Sequence, residues 1–296
     1  MKHQKTFETL THLAPLGALV IVLNAIPVAA QDTFTTIDYP GATNSSAQAI
    51  NNAGLVVGAY TDASGTNHGF QFDGTNYTSI DFPGASGTAA TDINNAGKVV
   101  GTYMIGATSH GFWLQGSKYN GFDVPGASAT AVLGINDADQ LVGVWQEGLI
   151  ASHGYQWDPN GTLTNIDVPS AIFTIPSGIN NAGQIVGTYI DFSFQSHGFL
   201  LDGGSYVTID VPGASNTSAN GINNRGTIAG GYTDMTTLFS GGHGYVKDEL
   251  EFRLVDVPGS ASTTWNHLND DGIDFLFIAG AFEIGATGHG VLFRAN

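Results

Sequence analysis

Three short segments recur six times along this chain of 296 residues, and that recurrence limits the possible folds more than any other feature. The first is Ile-Asp-x-Pro-Gly with variants, whose aspartates are Asp38, Asp81, Asp123, Asp167, Asp210 and Asp256; the fourth copy ends Pro169-Ser170. The second is Ile-Asn-Asn-Ala-Gly at 50–54, 93–97 and 179–183, with substituted copies at 135–139, 222–226 and 268–272. The third is a His-Gly-aromatic step at His68, His110, His153, His197 and His243, ending as His289-Gly290-Val291 in the last copy. Six of each means six units of about 43 residues.

Within one unit, residues 88–123 hold four strand signals: Thr88–Asn94, Lys98–Met104, His110–Gln115 and Lys118–Asp123. Asn95-Ala96-Gly97, Gly106-Ala107-Thr108 and Gly116-Ser117 separate them, so consecutive strands pair as an antiparallel meander. Pro125-Gly126 ends the fourth strand, because proline has no amide to give a ladder. A four-stranded meander cannot bury both faces alone, and six of them do so by stacking in a ring. The expected fold is therefore all-β, a six-bladed β-propeller of four-stranded antiparallel blades.

The chain ends support closure. The last unit holds three strand signals (Thr263–Asn269, Asp274–Phe282, His289–Arg294), while residues 33–38 read as a fourth strand with no unit of their own. Pairing 33–38 with 289–294 latches the ring. An open solenoid would need polar end caps, and the sequence shows none. The units then run 39–81, 82–123, 124–167, 168–210, 211–256 and 257–296 plus 33–38, in one domain spanning 31–296.

Lys2 and Lys5, the apolar stretch Leu13–Val28 and the small residues Val28-Ala29-Ala30 read as a signal peptide over residues 1–30, so a secreted protein, extracellular or periplasmic, is expected. Pro15, Asn24 and Pro27 interrupt the stretch and leave it short for a membrane anchor, so no membrane insertion is expected after cleavage. Net charge is −17, with 25 acidic against 8 basic residues, which disfavours nucleic acid and anionic lipid as partners. No cysteine is present, which removes disulfides and thiolate metal sites. A monomer is expected.

The combination of Ile-Asp-x-Pro-Gly-Ala, Gly-Ile-Asn-Asn-Ala-Gly-x-Ile-Val-Gly-x-Tyr and His-Gly-Phe resembles the extracellular HAF repeat family over nearly the whole chain after residue 30. The resemblance implies export and a repeat architecture and offers no catalytic residues to carry over. The sixth unit departs from the pattern at Leu268-Asn269-Asp270-Asp271 and at Val291.

Repeated polar residues are read first as scaffold. One histidine per blade sits far from its equivalents, so the six histidines suit a hydrogen-bond anchor in each blade better than a shared metal site, and the six aspartates suit turn amides. Asn before Gly suits a tight hairpin.

Departures from the repeat carry more information. The residue before the inner-strand Ile or Leu is Ala49, Asp92, Gly134, Gly178, Gly221 and His267, so units 2 and 6 alone place ionisable groups near the axis. Asp92 and His267 are the catalytic candidates, with Gln48 and Asn266 as ligand-binding candidates beside them. Asn269, Asp271 and Asp274 form an oxygen-rich run that makes Ca2+ the candidate cofactor, although the spacing departs from a standard calcium loop. Phe192, Phe194, Trp145 and Trp157 are candidate stacking surfaces for sugar rings.

The expected function is a binding or interaction module for a small molecule or carbohydrate. The alternatives are a calcium-dependent hydrolase of a lactone or ester at the channel mouth, by analogy with six-bladed lactonases, and a structural cell-surface protein.

Overall fold

The structure is a computed structural model that describes residues 32–148, 151–234, 242–270 and 276–295. Residues 1–30, and with them the expected export signal, lie outside the described residues, as do Asp271 and Asp274.

The described chain is all β. A short first strand, β1 (Thr33–Thr36), precedes blade 1, which holds β2 (Asn44–Ile50), β3 (Val56–Thr61), β4 (Asn67–Phe72) and β5 (Tyr77–Ile80). Blade 2 holds β6 (Gly87–Ile93), β7 (Val99–Ile105), β8 (Thr108–Gln115) and β9 (Lys118–Phe122). Blade 3 holds β10 (Ala129–Ile135), β11 (Leu141–Glu147), β12 (Ala151–Trp157) and β13 (Leu163–Ile166). Blade 4 holds β14 (Phe173–Ile179), β15 (Ile185–Ile190), β16 (Ser196–Asp202) and β17 (Ser205–Ile209). Blade 5 holds β18 (Ala214–Ile222), β19 (Ile228–Asp234), β20 (His243–Lys247) and β21 (Phe252–Leu254). Blade 6 holds β22 (Ser262–Leu268), β23 (Leu276–Ile284) and β24 (Thr287–Ala295), and its fourth strand is β1.

Six four-stranded antiparallel sheets result, and the chain is a six-bladed β-propeller. The latch is in register as Thr33↔Arg294, Phe34↔Phe293, Thr35↔Leu292 and Thr36↔Val291, and Ile37 N donates to Gly290 O at 2.8 Å. In blade 2 the strands lie within two residues of the expected bounds. Asp123 falls one residue beyond β9, and its carboxylate lies against His110.

The His-Gly-aromatic step is three devices in three residues. The histidine Nδ1 lies 2.7–3.2 Å from the aspartate that ends the fourth strand, in all six blades. In blade 6 that partner is Asp38, so the chain ends are joined by the same pair. An aromatic ring on the neighbouring strand stacks on each histidine, with centroids 4.9–5.2 Å apart, from Tyr60 on His68 to Phe282 on His289. The glycine lets the next blade approach: a Cβ on Gly290 would lie 2.4 Å from Ile37 O and 2.9 Å from Ala47 N. The aromatic fills the blade core, where Phe70, Phe112, Tyr155, Phe199 and Tyr245 are fully buried.

The residue after each aspartate donates its amide to a serine or threonine hydroxyl at the start of the next inner strand, from Tyr39 N to Ser45 Oγ through Val257 N to Thr263 Oγ1, at 2.9–3.1 Å. These links join crossover to blade, so the face carrying the His–Asp pairs is called the crossover face. Blade 6 keeps the volume of this core by exchange. Trp265 on β22 is fully buried where other blades carry small residues or Val132 or Pro176, and Val291 takes the place of the aromatic.

Candidate functional site

The opposite face is closed by the Asn-Asn turns. The first asparagine caps its own turn: Asn51 Oδ1 accepts from Ala53 N at 3.0 Å and Leu55 N at 3.1 Å. Its Nδ2 then donates to the equivalent carbonyl of the next blade, giving links from Asn51 to Asn94, Asn136, Asn180, Asn223 and Asn269 at 3.1–3.2 Å. The second residue forms a complete circle in which each backbone N–H donates to a side-chain oxygen one blade on, through Asn52, Asn95, Asp137, Asn181, Asn224 and Asp270 back to Asn52. The asparagines therefore do more than permit a tight turn. They tie each blade to the next.

Inside this circle lies a ring of aliphatic side chains, Ile50, Ile93, Ile135, Ile179, Ile222 and Leu268, each at most 5% exposed. Together the two rings leave only about 40 Å³ of space at this end of the channel. On the crossover side of the rings is a larger central cavity of about 200 Å³.

Every inner strand carries a β-bulge at the same place, between Ala47 and Ala49 in blade 1 and through to Trp265 and His267 in blade 6. A bulge re-aims one side chain out of the sheet's alternation. The bulged residues are Gln48, Thr91, Leu133, Ser177, Asn220 and Asn266, and all six line the central cavity with Asp92 and His267. Two of these, Gln48 and Asn266, were expected from sequence. Thr91, Leu133, Ser177 and Asn220 were missed, because strict strand alternation points them into the sheet faces. The one available signal is that this position varies from unit to unit within an otherwise recurring motif.

Three of the six tie neighbouring blades. Thr91 Oγ1 donates to Val132 O at 2.8 Å, Asn220 Nδ2 to Trp265 O at 2.9 Å and Asn266 Nδ2 to Ala47 O at 3.0 Å. The side-chain carbonyl oxygens of Asn220 and Asn266 have no protein donor among the described residues. Gln48 turns to Ser46 Oγ at 2.8 Å.

Asp92 and His267 do meet, from blades 2 and 6 across the axis, with His267 Nε2 3.4 Å from Asp92 Oδ1. Asp92 is 3% exposed, and its two oxygens accept from Ile93 N at 2.7 Å and Ile135 N at 2.8 Å, which fastens blade 2 to blade 3. Burial pushes its carboxyl above the usual range, against the lowering effects of His267 and the two amides. The other ring nitrogen, His267 Nδ1, is buried without a protein partner among the described residues. Glycine stands at this position in blades 3 to 5 because the next blade is close: a Cβ on Gly221 would lie 2.7 Å from Asn266 O.

Asn269 takes the capping role of its equivalents, its Oδ1 accepting from Phe277 N at 3.0 Å. That oxygen is committed to the turn. Among the described residues no group of three or more His, Cys, Asp or Glu side chains could hold a metal ion. Of the candidate aromatics, Trp145 stacks on His153 and Trp157 on Trp113, whereas Phe192 and Phe194 are 75% and 77% exposed.

No family model matches the sequence, and no curated protein matches it. Solved structures share the fold. TolB from Acinetobacter baumannii aligns with TM-score 0.57 at 12% identity over 83% of this chain, which spans 64% of the TolB chain. AofleA from Arthrobotrys oligospora aligns with TM-score 0.54 at 13% identity, covering 89% of this chain and 85% of its own. A gluconolactonase from Xanthomonas campestris aligns with TM-score 0.53 at 14% identity, covering 89% and 90%.

Proposed function

We propose that this chain is a binding module whose central cavity receives a small, uncharged, polyhydroxylated molecule such as a sugar or sugar lactone. The observation that carries the reading is the bulge ring. The repeated histidines and aspartates are used within each blade and the repeated asparagines between blades, whereas the six cavity-facing positions vary around the ring and present mainly amides and hydroxyls. Such groups donate and accept in the pattern a polyol needs. A cavity of about 200 Å³ suits one sugar ring.

Titration calorimetry against monosaccharides and aldonolactones tests this, using the native chain and Ser177→Phe, which fills the cavity. At least one compound binds the native chain and returns unchanged, and the variant loses the central-cavity site for it. The same number of sites with the same affinity in both chains would contradict the reading.

The alternative of a lactone or ester hydrolase draws on the Asp92–His267 pair and on the gluconolactonase of the same fold. The engaged oxygens of Asp92 and the buried Nδ1 of His267 favour a positioning role for both. Turnover of a lactone by the native chain that disappears in Asp92→Asn and His267→Ala would establish the alternative instead. Export as a HAF-type repeat protein is part of the proposal, and rests on residues 1–30 and the repeated motifs.

A further inference from the structure

A second cavity, of about 300 Å³, lies at the seam where blade 6 meets blade 1. Small residues help to open it: Ala281 and Ala59 stand on the two blades' second strands, where blades 2 to 4 carry Thr102, Val144 and Thr188 and blade 5 carries Gly231. Tyr60 and Phe282 also line it, and their stacking on His68 and His289 fixes both rings.

Its polar groups are half engaged. Asn44 Oδ1 accepts from Gly288 N at 2.9 Å and Asn67 Oδ1 from Thr61 Oγ1 at 2.9 Å, which turns each amide so that its NH2 is left over. Among the described residues neither NH2 group has a protein partner, nor do the Ser262 and Thr264 hydroxyls or the Glu283 carboxylate.

We infer that this seam groove is a second ligand site, for a neutral hexopyranose bound across blades 6 and 1. Each sugar hydroxyl both donates and accepts, and here amide donors stand with a carboxylate acceptor, the combination that satisfies neighbouring hydroxyls. The alanine wall takes the C–H face of the ring. An anion is opposed by Glu283, and an apolar molecule would leave five polar groups unpaired. Because the ligand touches both ends of the chain's ring, its binding holds the seam closed and stabilises the fold.

This inference stands apart from the central cavity, so Ser177→Phe is the background for its test. Methyl hexopyranosides are titrated by calorimetry and by thermal unfolding. At least one raises the unfolding midpoint in a saturable way in the Ser177→Phe chain, Ala281→Phe abolishes the effect by filling the groove, and Glu283→Gln weakens binding about tenfold. Asn67→Ala, an exposed rim change, gives the same loss should Ala281→Phe disturb folding. Absence of any saturable rise, or binding that survives both Ala281→Phe and Asn67→Ala, would overturn the assignment.

Discussion

Ser170 holds φ at +66° where the other five Pro-Gly turns place glycine at +80° to +85°. A Cβ in the left-handed region is strained by about 1 kcal/mol, so Ser170→Gly raises stability by about that amount in denaturant unfolding; an unchanged or lowered midpoint would argue against it. The histidines carry a pH signature. His68 lies between Asp81 at 2.7 Å and Asp62 at 3.5 Å. Burial lowers its affinity for a proton, but the hydrogen bonds and charges of the two aspartates outweigh this and raise its pKa above 6.5. A raised folded value means that the pair's stabilisation is fully present below pH 6.5 and is lost as pH rises through the raised value. The stability gap between the native chain and His68→Asn therefore narrows from pH 5.5 to pH 8.5, and a gap constant with pH would refute the charged pairing. The sequence shows which residues repeat, and a per-blade anchor follows from that. That each histidine also carries a stacked ring was not legible, since the ring stands seven or eight residues away in most blades and meets it only through strand register.

At the level of the strand, the bulge explains a glycine that alternation leaves unexplained. A Cβ on Gly101 would lie 2.0 Å from Ala89 O and 2.8 Å from the Phe112 ring. Gly101→Ala is expected to cost about 3 kcal/mol, the upper range of overpacking, measured by urea unfolding; a neutral result would mean that the inner strand can shift. Blade 6 read as degenerate from its sequence, yet its core is filled by exchange rather than lost. Trp265→Ala costs about 4 kcal/mol, and adding Val291→Phe recovers about half, because the new ring enters the space that Phe70 fills in blade 1. A double-mutant cycle with no coupling would contradict the exchange. The same bulge hid most of the candidate site: Gln48 and Asn266 were reached through their neighbours Asp92 and His267, but Thr91, Leu133, Ser177 and Asn220 face the axis only because one extra residue per strand breaks the period of two.

For the whole molecule, blade number and closure were legible because each repeat motif occurs six times and the leftover first strand matches the missing last one. The circle of side-chain acceptors through Asn52, Asn95, Asp137, Asn181, Asn224 and Asp270 was not, since it needs the blades already arranged around an axis. Both proposed ligand sites presuppose that arrangement, the central cavity by its six bulges and the seam groove by its two facing blades. The most direct test uses the absence of native cysteine. Thr35 and Leu292 are register partners in the latch, and antiparallel partners lie within disulfide range. Mass spectrometry of the oxidised Thr35→Cys, Leu292→Cys chain should find the two peptides joined within single molecules. Two free thiols after oxidation of the folded protein, or a cross-link only between molecules, would contradict a ring closed by its own ends.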